Sequence, residues 1–201
     1  MTAGARTWDV LLLGGPSGVG KTSVSYRLAQ HYGIGITEVD DFQVMLRHMT
    51  TPEQQPVLHH WYVTPDFHEQ PAQAIVEQLI RVSEVMSAGL EAVIANHLES
   101  RVPIVLEGDF LLPALATRAR FLNEANDGRV RGVFLYEQDQ QQLVANYLSR
   151  EPQSGPQTKR AEVSWLHGQL LKKDAEARGV PAMTARPWDT VFERVVDLLS
   201  R

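Results

Sequence analysis

The sequence GPSGVGKT at residues 15–22 decides the fold. It matches G-x-x-x-x-G-K-[ST], the phosphate-binding P-loop. The apolar run Trp8–Leu13 before it is typical of a buried strand, and the pattern from Gly20 to His31 after it predicts a helix. A strand, a glycine loop and a helix N-terminus in this order form the context in which the motif binds phosphate.

The residue types of this loop suit a nucleotide with a bound metal ion. Glycines allow the backbone N–H groups to turn inward around phosphate oxygens, and the helix N-terminus favours an anion. The side chain of Lys21 is suited to the β- and γ-phosphates, and the hydroxyl of Thr22 to Mg²⁺. The predicted nucleotide contacts are Gly15, Ser17, Gly18, Val19, Gly20, Lys21, Thr22 and Ser23.

Length and composition predict one cytoplasmic domain over residues 1–201. The net charge of −5, without a basic tail, indicates neither nucleic acid nor an anionic membrane as a partner. The absence of cysteine excludes disulfides and cysteine-bound metals, and it suits a reducing compartment. The first residues show no signal-peptide pattern, and the apolar run Val10–Leu13 is too short to span a bilayer. The sequence leaves the oligomeric state open.

Two acidic residues follow the second predicted strand, Gly35–Val39. Ligand-binding groups gather at the carboxyl ends of the strands in an α/β sheet. A carboxylate there is able to accept a proton from a hydroxyl or to hold Mg²⁺ through water. We assign this chemistry to Asp40 and the N-cap of a helix over Phe42–His48 to Asp41, with the reverse assignment as the alternative.

The third predicted strand, Pro103–Leu106, also ends in acids, at Glu107 and Asp109. An apolar strand that ends in a carboxylate is the Walker B pattern, which holds Mg²⁺ or its waters. Short apolar runs that end in an acid are common. Because this run follows a P-loop, we favour Glu107, together with Thr22, as a residue that holds the metal ion. Asp109 is left either as a cap of the following turn or as a substrate contact.

The segment between the second and third strands is predicted to be mostly helical. Apolar residues three to four apart over Asp66–Ser100 predict a long helix that faces the core. Earlier in the segment, His59, His60 and Trp61 lie side by side, and they suit a substrate pocket and a packed helical surface equally well.

A loop rich in proline and glycine, Glu151–Gln157, follows the fourth strand, 130–136, and the helix Asp139–Arg150. Arg150 lies just before the break and Arg160 just after it. A mobile loop between cations suits a lid over residues 150–160, which excludes water and brings positive charge to a transferring phosphoryl group. An ordinary surface loop is the alternative.

The remaining segments predict a helix over Lys159–Ala177, a fifth strand over Val180–Thr184 and a final helix over Asp189–Leu199. The proline at position 181 indicates an edge strand or the start of a strand. The loop before the last helix carries Trp188, which is suited either to stack on a nucleotide base or to anchor that helix.

Several stretches together resemble a known family: GGPSGVGKTS, EVDD, VLEGD, the broken basic lid and GVPAM. They look like P-loop small-molecule kinases of nucleoside-monophosphate-kinase type, most of all the 2-phosphoglycerate-kinase-like branch. The chain is also similar to chloramphenicol phosphotransferase, in which the proposed base occupies the position of Asp40. The resemblance implies an α/β, three-layer P-loop NTPase fold with a five-stranded parallel sheet of order 2-3-1-4-5. It also implies an acceptor-binding helical insertion over 41–100, ATP with Mg²⁺, and a small-molecule phosphoryl acceptor.

The predicted function is ATP- and Mg²⁺-dependent transfer of the γ-phosphoryl group to a hydroxyl of a small metabolite, 2-phosphoglycerate-like or otherwise. The predicted catalytic residues are Lys21, Asp40, Arg150 and Arg160, with Thr22 and Glu107 at the metal. The acids of the third strand and the few lid arginines depart from nucleoside-monophosphate kinases and disfavour a nucleotide acceptor. A phosphate-bearing acceptor would need an arginine cluster, for which Arg47, Arg101, Arg118 and Arg120 are available.

Two alternatives come from other classes of protein. One is a nucleotide-dependent switch that acts on a protein partner, which the absence of an N-K-x-D motif disfavours. The other is a toxin-like kinase of a sugar nucleotide. The sequence does not distinguish ATP from GTP as the donor.

Overall fold

Five parallel strands form the central sheet of the computed structural model, which describes residues 6–200. The strands of the chain are β1 (Val10–Gly14), β2 (Gly35–Glu38), β3 (Ile104–Gly108), β4 (Arg120–Phe121), β5 (Glu124–Ala125), β6 (Val130–Tyr136) and β7 (Ala182–Thr184). The helices are α1 (Lys21–Tyr32), α2 (Val39–Met49), α3 (Pro56–Val63), α4 (Ala72–Ser100), α5 (Pro113–Ala116), α6 (Gln140–Arg150), α7 (Thr158–Ala177) and α8 (Val191–Leu199). None of the helices within residues 6–200 is both long enough and apolar enough to cross a membrane.

The order of the sheet is β2-β3-β1-β6-β7, and every neighbouring pair is parallel. When only the five parallel strands are numbered, β6 and β7 become the fourth and fifth strands, and the order is the predicted 2-3-1-4-5. The predicted fold class is therefore confirmed. The two short strands β4 and β5 pair antiparallel outside this sheet. The central strand β1 lies between β3 and β6, with Leu12 opposite both Leu106 and Gly132.

Helices cover both faces of the sheet because successive side chains of a strand point to opposite sides. Leu11 and Leu13 of β1 pack with residues of α1 and α8, whereas Val10 and Leu12 pack with residues of α4 and α7. All four β1 side chains are fully buried. The carboxyl ends of β1, β2 and β3 therefore meet at one edge of a rigid three-layer core.

The predicted helix Asp66–Ser100 is shorter in the structure. A 3-10 turn covers Phe67–Glu69, and α4 begins only at Ala72, directly after Pro71. The backbone of Asp66 has a left-handed φ of 52°, which an α-helix does not accommodate. The second half of α4 packs in the core against the sheet. Within the predicted insertion 41–100, α2 contacts β3, and α3 packs on α2 and α4.

Candidate active site

The P-loop connects β1 to α1 as predicted, and it turns through glycines with left-handed backbones. Gly18 has a φ of 84° and Gly20 a φ of 89°, in the region that glycine reaches without strain. A Cβ atom at Gly20 would overlap the indole ring of Trp188, so position 20 requires glycine for space as well. Gly15 lies behind the loop against the backbone of Leu135, away from the cleft that the other predicted contacts line.

A cleft of about 760 Å³ opens at this edge of the sheet. Its lining includes seven of the eight predicted nucleotide contacts, the acids at the ends of β2 and β3, and both arginines of the predicted lid. The lining residues outside the P-loop are Glu38, Asp40, Glu107, Asp109, Glu137, Asn146, Tyr147, Ser149, Arg150, Arg160, Ala185, Arg186 and Trp188. All the predicted catalytic and metal residues therefore share one cavity.

Lys21 is buried, with 5% of its side chain exposed, and a carboxylate holds it. Its Nζ lies 2.6 Å from Oδ1 of Asp109, and it donates to the backbone oxygen of Pro16 at 3.0 Å. Glu107 adds a second carboxylate at 3.7 Å. Burial alone would lower the pKa of Lys21, but Asp109 and Glu107 outweigh it and raise the pKa above its usual value. The ammonium is therefore charged, and Lys21 lines the cleft beside Asp109.

Asp40 and Asp41 both lie in the first turn of α2, which begins one residue after β2 ends. Asp41 is exposed and caps nothing: α2 starts after Glu38 and has no side-chain cap, so the predicted capping role was wrong. Asp40 faces the cleft, and its Oδ1 accepts the backbone N–H of Asp109 at 3.3 Å. Gly108 permits this approach, because a Cβ there would lie 2.8 Å from Cβ of Val39.

The carboxyl group of Asp40 keeps its proton to a higher pH in this cleft than it would in water. Asp40 is exposed to solvent in the open cleft, and its carboxyl group lies beside Asp109. The loss of hydration that the neighbouring protein causes, and next the negative charge of Asp109, raise the pKa of Asp40 to about 7. Asp40 is therefore able to gain and lose a proton near neutral pH.

The predicted metal residues Thr22 and Glu107 are adjacent. The Thr22 hydroxyl donates to Oε2 of Glu107 at 3.1 Å, and Glu107 is the buried fourth residue of β3 rather than the residue after it. Burial raises the pKa of Glu107, against the lowering effect of Lys21. Nowhere in residues 6–200 do three His, Asp or Glu side chains converge as a set of metal ligands. These hard oxygen donors fit Mg²⁺, which usually takes one or two protein ligands and completes its shell with phosphate and water.

The predicted lid over residues 150–160 covers the end of α6, a 3-10 turn over Pro152–Ser154 and the first turn of α7. Arg150 ends α6, Arg160 lies in the first turn of α7, and the two guanidinium groups lie over the ring of Tyr147 at 5.3 and 4.3 Å. Both also donate to Glu151, at 2.8 and 3.1 Å. Hydrogen bonds from Arg150, then from Gln157 and Arg160, lower the pKa of Glu151 to about 2.

The part of the cleft that Glu137, Asn146 and Arg186 line could not be predicted from the sequence. Asn146 donates to the backbone oxygen of Gly18 at 2.9 Å, and Arg186 donates to Oδ1 of Asn146 at 3.1 Å and to buried Glu137 at 3.4 Å. Glu137 follows β6, Asn146 lies on α6 and Arg186 follows β7, so no short spacing in the sequence links the three residues. They border the P-loop together with Trp188, which is the one residue of this group that sequence reasoning considered.

The histidine pair and Trp61 form packing contacts of the α2–α3 region. His59 pairs with the Thr50 hydroxyl at 3.2 Å, and His60 packs edge-on against Phe67 at 5.4 Å. The Trp61 ring lies 6.1 Å from Phe110, which follows Asp109. Of the two sequence interpretations, the packed helical surface matches these contacts.

The four arginines considered for a phosphate-bearing acceptor do not come together. The guanidinium of Arg47 lies over the ring of Tyr62 at 4.1 Å, and Arg118 forms an ion pair with Glu91 of α4. Arg101 follows the C-terminus of α4, at the opposite end of the sheet from the cleft. Arg120 lies in the β4–β5 hairpin. Among these four, only Arg47 is on a helix that also carries a cleft residue.

The fold and this cleft define the class: the chain has the P-loop NTPase fold of small-molecule kinases. No protein-family model matches the sequence. It is 28% identical to 2-phosphoglycerate kinase of Methanocaldococcus jannaschii over 112 residues, which is 53% of this chain and 35% of that protein. It is 25% identical to tRNA dimethylallyltransferase of Desulfotalea psychrophila over 197 residues, 92% of this chain and 56% of that one. The chain thus spans about half, or less, of the length of these curated relatives.

A solved structure shows the same fold along the whole chain. A gluconokinase from Sinorhizobium meliloti superposes with a TM-score of 0.56 at 18% identity, over 98% of this chain and 94% of that one. The predicted resemblance to P-loop small-molecule kinases, and to the 2-phosphoglycerate kinases among them, is confirmed.

Proposed function

We propose that this protein transfers the γ-phosphoryl group of ATP, as its Mg²⁺ complex, to a hydroxyl group of a small molecule. One observation carries the proposal. A phosphate-binding lysine, a carboxyl group that titrates near neutral pH and two lid arginines line a single cleft. The carboxyl group of Asp40 at the end of β2 is placed in the same cleft as the phosphate-binding loop, as a proton acceptor for a substrate hydroxyl requires.

The P-loop would hold the phosphates of ATP, and these phosphates would replace the present partners of Lys21. The backbone N–H groups of the loop and the α1 N-terminus attract the anionic oxygens. Lys21 would exchange its contact with Asp109 for the β- and γ-phosphate oxygens, because the phosphates together carry more negative charge than one carboxylate. This exchange leaves Asp109 free to contact the acceptor or a metal-bound water.

Mg²⁺ would neutralise developing charge on the transferring phosphoryl group and on the leaving diphosphate. Thr22 and Glu107 are the residues that would hold it. The Thr22 hydroxyl offers a direct oxygen ligand, and Glu107, to which it is hydrogen-bonded, offers an acceptor for metal-bound water.

Asp40 would orient the acceptor hydroxyl and take its proton. The acceptor oxygen forms a bond to the γ-phosphorus, the bond from that phosphorus to the β–γ bridging oxygen breaks, and ADP leaves. The hydroxyl proton moves to the Asp40 carboxylate and later to solvent. Arg150 and Arg160 would stabilise the negative charge on the equatorial oxygens.

The test measures ADP formation from Mg·ATP with a panel of acceptors: 2-phosphoglycerate, D-glycerate, sugars, sugar acids, nucleosides and hydroxylated antibiotics. We expect strong stimulation by one class of acceptor, and Lys21→Ala should lower that rate by at least about 100-fold. Lys173→Ala is the matched control, since Lys173 is an exposed lysine of α7. Asp40→Asn should lower the rate less than Lys21→Ala, because phosphoryl transfer depends mostly on positioning and electrostatics. Full turnover in Lys21→Ala would refute the proposal.

The match to tRNA dimethylallyltransferase over 92% of the chain favours a second candidate, prenyl transfer from an allylic diphosphate. The same P-loop would then hold the diphosphate leaving group. The net charge of −5 and the acids of the cleft disfavour a polyanionic tRNA partner. Release of diphosphate from dimethylallyl diphosphate in the presence of tRNA, with no acceptor-stimulated ATP turnover, would favour this candidate over the kinase.

A further inference from the structure

Glu151 gathers more hydrogen bonds than its exposed position requires. Its Oε1 accepts Nε and Nη2 of Arg150, at 3.0 and 2.8 Å. Nη1 of Arg160 donates to both of its oxygens at 3.1 Å, and Nε2 of Gln157 donates at 3.1 Å. One carboxylate therefore occupies the two cations that the proposed reaction needs at the transferring phosphoryl group.

The other two cations that line the cleft are also paired with acids. Lys21 contacts Asp109, and Arg186 contacts Glu137. Glu137 is buried and the Asp109 side chain is only 20% exposed, whereas the Glu151 side chain is 37% exposed. Glu151 also lies outside the two helices, in the short connection between α6 and α7. It is therefore the partner that can most easily move away into solvent.

We infer that Glu151 couples the lid to the terminal phosphoryl group of the nucleotide, holding Arg150 and Arg160 until a γ-phosphate replaces its carboxylate. This inference rests on the proposed function of the cleft. In a P-loop the backbone N–H groups hold the α- and β-phosphates, and the lysine reaches the β- and γ-phosphates. The γ-phosphate is the group that the proposed reaction brings to Arg150 and Arg160. The Nε–Nη2 edge of Arg150, which suits an oxyanion, is filled by Glu151 and is available to phosphate only after Glu151 leaves.

The exchange makes Glu151 a specificity-determining residue for triphosphate over diphosphate. A triphosphate must break the pairing, so part of the binding free energy of its γ-phosphate is spent on lid rearrangement. A diphosphate leaves the pairing intact. After transfer, Glu151 recaptures both arginines, which favours release of the diphosphate product.

The test compares wild type with Glu151→Gln by calorimetry in the presence of Mg²⁺, using ADP and the non-hydrolysable ATP analogue AMPPNP as probes. We expect the variant to bind AMPPNP about three- to tenfold more tightly, the scale of two exposed ion pairs that no longer have to break. ADP affinity should change by less than about twofold. Glu162→Gln is the matched control, because Glu162 is an exposed acid of α7 that pairs with Lys159 at 3.7 Å.

Three outcomes would overturn the inference: unchanged AMPPNP affinity, weaker AMPPNP affinity, or equal tightening of AMPPNP and ADP. The last would show a general effect of charge rather than a γ-phosphate exchange. Neither probe needs an acceptor, so a protein that shows the Glu151 effect without any acceptor-stimulated turnover would contradict the proposed kinase reaction alone. A wild-type protein that binds neither nucleotide would overturn both.

Discussion

Replacing Asp109 with Asn removes the nearest countercharge of a buried lysine while it keeps the shape of the side chain. Lys21 is 5% exposed, and its Nζ lies 2.6 Å from Asp109, 3.7 Å from Glu107 and 3.0 Å from the Pro16 oxygen. Breaking a fully buried ion pair costs about 3–5 kcal/mol. Because Glu107 and Pro16 remain and Asp109 is 20% exposed, we expect the free energy of unfolding to fall by about 1–3 kcal/mol.

The assay is urea denaturation at pH 7, where the stabilisation from Lys21 is complete. The pKa of Lys21 is raised in the folded state, so its contribution is fully present below the unfolded pKa and disappears only as the pH rises through the folded one. Asp174→Asn is the control, since Asp174 pairs with Arg178 at 2.8 Å on an exposed surface. The Asp174→Asn substitution should lower the free energy of unfolding by less than about 1 kcal/mol. Added Mg·ATP should narrow the difference in the free energy of unfolding between Asp109→Asn and wild type. The phosphates would supply Lys21 with the negative charge that the substitution removes.

The same variant carries a second signature in the pH dependence of transfer. The negative charge of Asp109 contributes to the raised pKa of Asp40, so the acidic limb of the rate profile should move to lower pH in Asp109→Asn. A variant as stable as Asp174→Asn, with an unmoved acidic limb, would refute the inferred pairing of Lys21, Asp109 and Asp40.

Three further changes test other parts of the structure. The transfer rate should rise with pH through about 7 as Asp40 becomes a carboxylate, and a pH–rate profile of Asp40→Asn should lack this rise. Gly20→Ala should weaken nucleotide binding at least about tenfold by calorimetry, since a side chain at a φ of 89° is strained and a Cβ there overlaps Trp188. Gln78→Leu should lower the free energy of unfolding by about 1–3 kcal/mol in urea denaturation, because the buried amide donates to the Val57 oxygen at 2.8 Å and joins α3 to α4; a loss no larger than that of an exposed Gln73→Leu would contradict this.

The sequence by itself determined the phosphate-binding element, the class of the fold and the acids at two strand ends. These features depend on short-range order: a glycine spacing, the apolar runs of buried parallel strands, and the residue that follows each run. Asp40 and Glu107 could be found in this way because strand ends share one edge of a sheet. The predicted starts of two helices were less accurate. Asp41 lies inside α2 rather than at its N-cap, and Asp66 precedes α4 with a left-handed backbone. Helix starts depend on backbone conformations that these residue types do not dictate.

Only the tertiary structure decided which side chains meet. Lys21 and Asp109 are 88 positions apart, and Asn146 is 128 positions from Gly18, so no local pattern predicts either pairing. The contact of Glu151 with Arg160 depends on the packing of α6 against α7, in which the Tyr147 hydroxyl is hydrogen-bonded to Ser164. Periodicity and motif spacing place residues on elements, whereas the packing of the elements places charges beside one another, and in this cleft those charges set the pKa values and the expected chemistry.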